Sequence, residues 1–294
     1  MTETPTRIET SVALSAPANP SAGPRLSIRP PRGWAAFHLR EIWQFRDLLL
    51  SLAGRDLKVR YKQTALGVIW VVLQPIMAAG IFAVVFGRIA KMPSQGIPYF
   101  LFSFTGLLGW NLFSNVLTRS STCLIGNAQL ISKVFFPRLV LPLSTVGSSL
   151  VDYGVSLVMM AVLMFLYRVP PTWTILLLPV WTVVLLMLAL GVGMLSAALT
   201  VTYRDVQYIL PVALNILMYA SPVPYAASLV PPSMRFAYNL NPLSGVLEAY
   251  RWSALGTTAP SAWALTYSVC FCCASLWVGA VAFKQMECKF ADVI

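Results

Sequence analysis

The sequence predicts an all-α polytopic membrane protein with six transmembrane helices, an N-terminal amphipathic interface helix, and re-entrant helices between spans five and six. Of its 294 residues, 57% are hydrophobic and only 11% charged, against roughly 25% charged in an average soluble domain. The mean hydropathy is +0.72, and several apolar runs approach or exceed the ~20 residues that carry a helix across the hydrocarbon. This composition excludes an ordinary soluble enzyme. A formal net charge of +11 invites a nucleic-acid reading, but Lys and Arg gather at the ends of apolar runs, as membrane flanks do. No nucleic acid is expected.

Residues 1 to about 33 hold six prolines among Ser, Thr and Ala, without apolar periodicity, so nothing there offsets the entropy of ordering. Residues 1–38 are expected to be a disordered, Pro-rich cytoplasmic tail. Ile8 to Pro20 lacks the apolar core of a secretory signal. His38, the one histidine, precedes the first helix and is expected at the surface. The rest, 39–294, reads as a single transmembrane domain. From Leu39 to Leu57, Ile42, Phe45, Leu49, Leu52 and Ala53 share a helical arc opposite Arg40, Asp47 and Lys58, the pattern of a helix lying in the membrane interface. Arg55, Lys58, Arg60 and Lys62 would sit among headgroups, with Trp43 as an aromatic anchor; a soluble surface helix is the alternative.

Six spans follow at about Ala65 to Phe86, Phe100 to Leu117, Leu139 to Tyr167, Ile175 to Thr200, Val206 to Tyr225, and Trp263 to Phe283. Between the last two, Ala226 to Ala259 is broken by Pro231, Pro232, Pro242 and Gly245. It is too polar for a plain span and too apolar for a free loop, which suggests helices that dip into the membrane and return. With both termini cytoplasmic, sixteen of the 21 Lys and Arg fall in inner segments, and five (Arg88, Lys91, Arg168, Arg235, Arg251) in outer ones. That bias supports an inside N-terminus. No internal repeat is visible, which weakens a secondary-transporter reading.

Chemistry has few footholds. The chain carries no HExxH, GxSxG or paired carboxylates within one span, so catalysis is not expected. Cys270, Cys272 and Cys273 sit together in the last span without a nearby His or acid; thiols of this kind read as small hydrophobes rather than metal ligands, and no metal site is expected. Asp152 is the one acid well inside an apolar span. It is either a functional carboxylate or a hydrogen-bonded packing residue, and a proton relay would need ionisable partners at its depth, of which the sequence shows none. No GxxxxGK[ST] phosphate loop is present, so any ATP dependence comes from a partner. The segment Ile125 to Arg138, IGNAQLISKVFFPR, sets a short helix and basic residues before Phe135, Phe136 and Pro137. It suits a knob docking into another protein's groove, and an interfacial loop would look similar.

An ordered set of segments carries a more specific signal: DLKVRYKQTALGVIWVVLQP (Asp56 to Pro75), NAQLISKVFFPRLVLPL (Asn127 to Leu143), TYRDVQYILP (Thr202 to Pro211), SPVPY (Ser221 to Tyr225) and NPLSGVLEAYRWSAL (Asn241 to Leu255). This set resembles the type-2 ABC exporter permeases of the polysaccharide and polyol phosphate export family, whose members export O-antigen, capsule and teichoic-acid polymers. The resemblance covers about Leu39 to Ile294. Pro224 stands where the family more usually carries a bulky apolar residue, and the N-terminal tail is longer than many. The resemblance implies a homodimer of six-span subunits with two copies of an ABC ATPase docked beneath, the ATPase binding ATP and Mg. It implies that Leu39 to Leu57 is the interface helix, that Asn127, Lys133, Phe135, Phe136, Pro137 and Arg138 belong to the loop that couples to the ATPase, and that Pro231 to Gly256 is the re-entrant pair on the exoplasmic side.

The substrate so implied is a lipid-linked glycan or polyol-phosphate polymer. A conduit for it needs aromatic faces for sugar rings, with amide and hydroxyl groups to replace water. Candidate lining residues are Phe82, Phe86, Tyr99, Trp110, Asn111, Phe113, Asn115, Asp152, Tyr153, Tyr219 and Tyr225. Each also fits an interfacial belt, helix packing or contact with membrane lipids. Arg204 and Asp205 are expected to pair and fix the turn after the fourth span. The sequence therefore reads as the permease subunit of an ATP-driven exporter in the bacterial inner membrane. The rivals are a same-fold exporter of a small hydrophobic drug or lipid, a membrane-embedded transferase on lipid-linked sugars, and a proton-coupled transporter using Asp152.

Overall fold

The computed structural model describes residues 43–62 and 67–293. The predicted tail, His38 and the predicted interface helix through Ile42 lie outside the described residues. All regular structure within them is helical, as expected where backbone polar groups must be satisfied within the segment rather than by water. Helix α1 (Arg46–Lys62) follows the predicted arc: Leu52 and Ala53 are buried and Phe45 and Leu49 partly so, while Leu50 and Val59 stay exposed.

Helix α2 (Gly67–Phe82) passes Pro75 and continues as a π-helical stretch, Ala83–Ile89. Pro98 then precedes α3 (Tyr99–Gly126), which is followed by the short α4 (Ala128–Lys133) and by α5 (Val140–Leu166). A 3-10 turn, Trp173–Leu177, leads into α6 (Leu178–Thr202). Helix α7 (Val206–Ala220), the short α8 (Arg235–Asn239), α9 (Pro242–Leu255) and α10 (Ala262–Val293) complete the chain. Among the described residues, five helical stretches are long and apolar enough to cross a membrane: Ile69–Ile89, Tyr99–Gly126, Val140–Leu166, Trp173–Thr202 and Ala262–Glu287.

Three predicted spans change length, the last of them continuing past Phe283 to Val293 in α10. The run expected from Val206 to Tyr225 is helical only to Ala220, 15 residues, or about 22 Å. Pro222 and Pro224 lack amide donors and turn their preceding residues toward extended backbone, which ends the helix. The second span was expected to stop at Leu117, because Thr118 to Thr122 is polar. Instead α3 continues to Gly126. Those polar groups are satisfied in place: Ser120 and Thr145 hydroxyls lie 3.0 Å apart, and Ser121 and Thr122 donate to the Thr118 carbonyl at 2.7 and 3.2 Å.

At the centre of the bundle is α3, with every residue from Leu101 to Trp110 buried and α2, α5, α6 and α9 packed around it. Helices α6 and α10 approach at backbone distance. A Cβ on Gly279 would fall on the Gly191 carbonyl, and one on Gly191 would stand 2.5 Å from the Ser275 carbonyl carbon. Small residues facing one another let dispersion contacts accumulate where lipid offers no hydrophobic drive. Helix α9 begins at Asn241, whose Oδ1 accepts from the Leu243 amide at 3.1 Å, and ends at Gly256, whose φ of 66° suits a left-handed cap. Eleven of its fourteen residues are buried.

Candidate functional site

Helix α3 leaves one stripe half-open. Between Leu101 and Leu124 the residues not fully buried are Asn111, Ser114, Asn115, Thr118, Arg119 and Thr122, and all six are polar. At 3.6 residues per turn they occupy an arc of about 140°. An apolar bundle keeping a continuous polar stripe on its most central helix has a hydrogen-bonding track of amides, hydroxyls and one guanidinium. Asn111 and Asn115 were legible in the sequence. Ser114, within the predicted span, was not singled out, and Thr118, Arg119 and Thr122 were missed because the span was ended too early, which turned Arg119 into a membrane flank.

The same error hid a partner for Asp152. Arg119 of α3 lies 3.5 Å from the Asp152 carboxylate of α5, with side-chain exposures of 27% and 9%, and donates to the Ser148 hydroxyl at 2.6 Å. The expectation that no ionisable group shares the depth of Asp152 is therefore corrected. The pair ties α3 to α5 midway along the bundle.

The other conduit candidates separate by burial. Phe82, Trp110, Phe113 and Tyr153 are buried among helices. Tyr153 belongs to a hydroxyl chain, 2.8 Å from Thr182 of α6 and 2.9 Å from Tyr250 of α9, which ties three helices together. Phe86 is half-exposed and packs edge-on to Phe82 at 5.6 Å. Tyr219 is exposed on α7, and Tyr225 is half-buried.

Tyr99 donates to the Pro224 carbonyl and so leads to a cluster that the sequence did not reveal. Arg251 of α9, counted from sequence as an outer-loop charge, is 4% exposed. Its guanidinium donates to the carbonyls of Pro222, Val223 and Tyr225 at 2.8, 2.9 and 3.3 Å and lies 3.9 Å over the Phe102 ring of α3. Only a glycine fits beneath it: a Cβ on Gly106 would overlap the guanidinium and stand 2.8 Å from the Val223 oxygen. Alongside, Asn241 donates to the Ser221 hydroxyl at 2.9 Å, and Tyr238 donates to Glu248 at 3.0 Å.

The far end of α3 carries the predicted docking loop. Asn127 closes the helix by donating to the Cys123 carbonyl at 2.9 Å and accepts from Arg55 of α1 at 2.8 Å. Lys133, Val134 and Phe135 are exposed, Phe135 by 77%, whereas Phe136 is 4% exposed and packs in the core. The two phenylalanines expected to form one knob are thus divided. Pro137 follows, half-buried, and its carbonyl accepts from the Val140 amide at 3.0 Å. Arg138 anchors the loop to α10: its amide donates to the Glu287 carboxylate at 3.2 Å and its guanidinium to the Glu287 carbonyl.

Arg204 and Asp205 are both exposed and form no ion pair with each other among the described residues. The turn is held instead by backbone, with the Asp205 carbonyl accepting from Tyr208 and Ile209 at 2.9 and 3.0 Å, which starts α7. Of the cysteines, Cys123 and Cys272 pack in the core, while Cys270 and Cys273 face outward from α10.

Known proteins share this chain's pattern over nearly its whole length. Its sequence is 31% identical over 258 residues to the O-antigen export system permease protein RfbA of Myxococcus xanthus, an alignment covering 87% of this chain and 98% of the relative. An O-antigen export system permease protein RfbA of Klebsiella pneumoniae is 29% identical over 84% of this chain and 95% of its own length. The polysialic acid transport protein KpsM of Escherichia coli is 24% identical over 81% and 92%. The family model for the ABC-2 type transporter matches residues 47–255, a stretch that holds the polar stripe of α3, the loop after it and the buried Arg251, and the chain belongs to that family of membrane permeases.

Proposed function

We propose that this chain is the membrane-embedded permease of an ATP-driven exporter that moves a lipid-linked polysaccharide or polyol-phosphate polymer across the bacterial inner membrane. The observation that carries the reading is the half-open polar stripe of α3, Asn111 to Thr122, on the most central helix of the bundle. Hydroxyl and amide groups in a row can replace the water contacts of a sugar polymer as it passes, without demanding one linkage. Full-length similarity to permeases named for O-antigen export and polysialic acid transport supports the same substrate class.

The stripe lies open on one subunit, so a second copy related by a two-fold axis would close it into a conduit. Energy would come from two copies of an ABC ATPase, which bind ATP and Mg and dock on the exposed Lys133, Val134 and Phe135 at the cytoplasmic face. Both termini are then cytoplasmic, α7 serves as the short fifth span, and the stretch containing α8 and α9 is re-entrant from the exoplasmic side. Differential contacts of the ATPase at the docking loop would shift the permease between closed and conducting states.

Purification of the chain from its native membranes in mild detergent tests the reading. An ATP-binding protein is expected at about one copy per permease, together with accumulation of lipid-linked glycan in cells lacking the chain. Its reproducible absence from an active preparation, or turnover of lipid-linked sugar by the purified chain alone, would overturn it.

A further inference from the structure

Four successive carbonyls, those of Pro222 to Tyr225, are taken by side chains from other helices: three by Arg251 and the fourth, that of Pro224, by Tyr99. Ser221 to Pro224 are buried, whereas Tyr219 and Ala220 before them and Ser228 and Leu229 after them are exposed. The pentapeptide is therefore a pinned point between two loosely packed arms. On one side α7 buries only Leu214. On the other, residues 231–237 are all exposed. Backbone that leaves a helix inside an apolar bundle must find donors for its carbonyls, and a planar guanidinium fork can supply several at once.

The pin also joins three helices. Arg251 belongs to α9, Tyr99, Phe102 and Gly106 to the first turns of α3, and Ser221, held by Asn241, to the end of α7. Helix α3 then runs 28 residues, about 42 Å, to the docking loop at its other end. A displacement of that loop arrives, through a buried rod, at a node where slippage would strip a buried cation of its carbonyls. The charge of Arg251 is met by carbonyl dipoles and a ring face, with the Glu248 carboxylate of α9 adding an electrostatic attraction beyond ion-pair distance, and its Nε has no hydrogen-bond partner. Such a cation holds its place only while the carbonyl cluster keeps its shape.

We infer that Arg251 is a positioning residue of the export cycle, whose grip on the carbonyls of Pro222, Val223 and Tyr225 makes the pentapeptide Ser221 to Tyr225 the pivot through which α3 moves α7 and the segment before α9. This rests on the export function proposed above. The test uses the whole complex, permease with its ATPase, in proteoliposomes, with ATP hydrolysis and export of lipid-linked glycan measured together. Arg251→Gln is expected to leave hydrolysis within about twofold of wild type while export per ATP falls about tenfold, a typical coupling between distant sites. Arg251→Lys, a compact cation without the fork, should restore part of the loss, and Tyr99→Phe, which removes only the donor to Pro224, should lower the ratio about threefold. If Arg251→Gln does not assemble, the Lys and Phe variants carry the test. Unchanged export per ATP in the variants that do assemble, or a smaller yield of complex whose export per ATP is normal, would overturn the inference. Failure of the wild-type complex to export on ATP would instead count against the proposed function.

Discussion

Phe135 and Phe136 are chemically identical neighbours with opposite surroundings. After the extended Val134 that ends α4, one ring faces outward and the other enters the core. Phe135→Ala is expected to change stability by less than about 0.5 kcal/mol while lowering ATPase binding and export several-fold, as loss of an exposed aromatic anchor does. Phe136→Ala removes a buried ring, and about 3–5 kcal/mol of stability with it. Thermal unfolding in detergent beside ATPase pull-down distinguishes the two, and similar unfolding curves for both variants would contradict the division. Arg119 and Asp152 make a second residue-scale prediction. As partners they should couple: the double variant Arg119→Gln/Asp152→Asn is expected to cost less than the sum of the single changes by about 0.5–3 kcal/mol. Strict additivity would mean that the pair holds nothing.

At the scale of elements, the α6–α10 contact depends on residues with no side chain. Gly279 faces the Gly191 carbonyl so closely that even one methyl group has no space. Gly279→Val is expected to separate the two helices and destabilise the bundle by about 1–3 kcal/mol or more, read as a lower aggregation temperature. A normal temperature would show that the helices can shift without loss. Helix α3 illustrates how element boundaries escape a sequence reading. Its polar second half resembles a loop by composition, yet Arg119, Ser120, Ser121 and Thr122 are satisfied by α5 or by the helix's own preceding turn. The polar stripe, an element-scale feature, could be seen only once that boundary was right.

For the whole molecule, the proposed function makes one subunit an incomplete conduit. Two differently tagged copies co-expressed in one cell are expected to co-purify with the ATPase bound. Their failure to do so would require the stripe to be closed by some other chain. The Arg119–Asp152 pair bears on the energy source: export should persist when the proton gradient is collapsed and ATP is maintained. Loss of export on adding a protonophore, with ATP unchanged, would return Asp152 to a proton-relay role.

The sequence by itself determined the class. Long apolar runs with basic flanks read as membrane helices, and no phosphate-loop motif stands anywhere in the sequence. The broken stretch after Ala226 was legible because proline and glycine act locally, wherever the chain places them. Tertiary structure alone decided which charges lie inside. Arg119 and Arg251 read as flanking residues, since burial of a guanidinium is set by distant partners, Asp152 and Ser148 for one and the carbonyls of Pro222, Val223 and Tyr225 for the other. Periodicity and composition are local quantities, and the satisfaction of a buried charge is not.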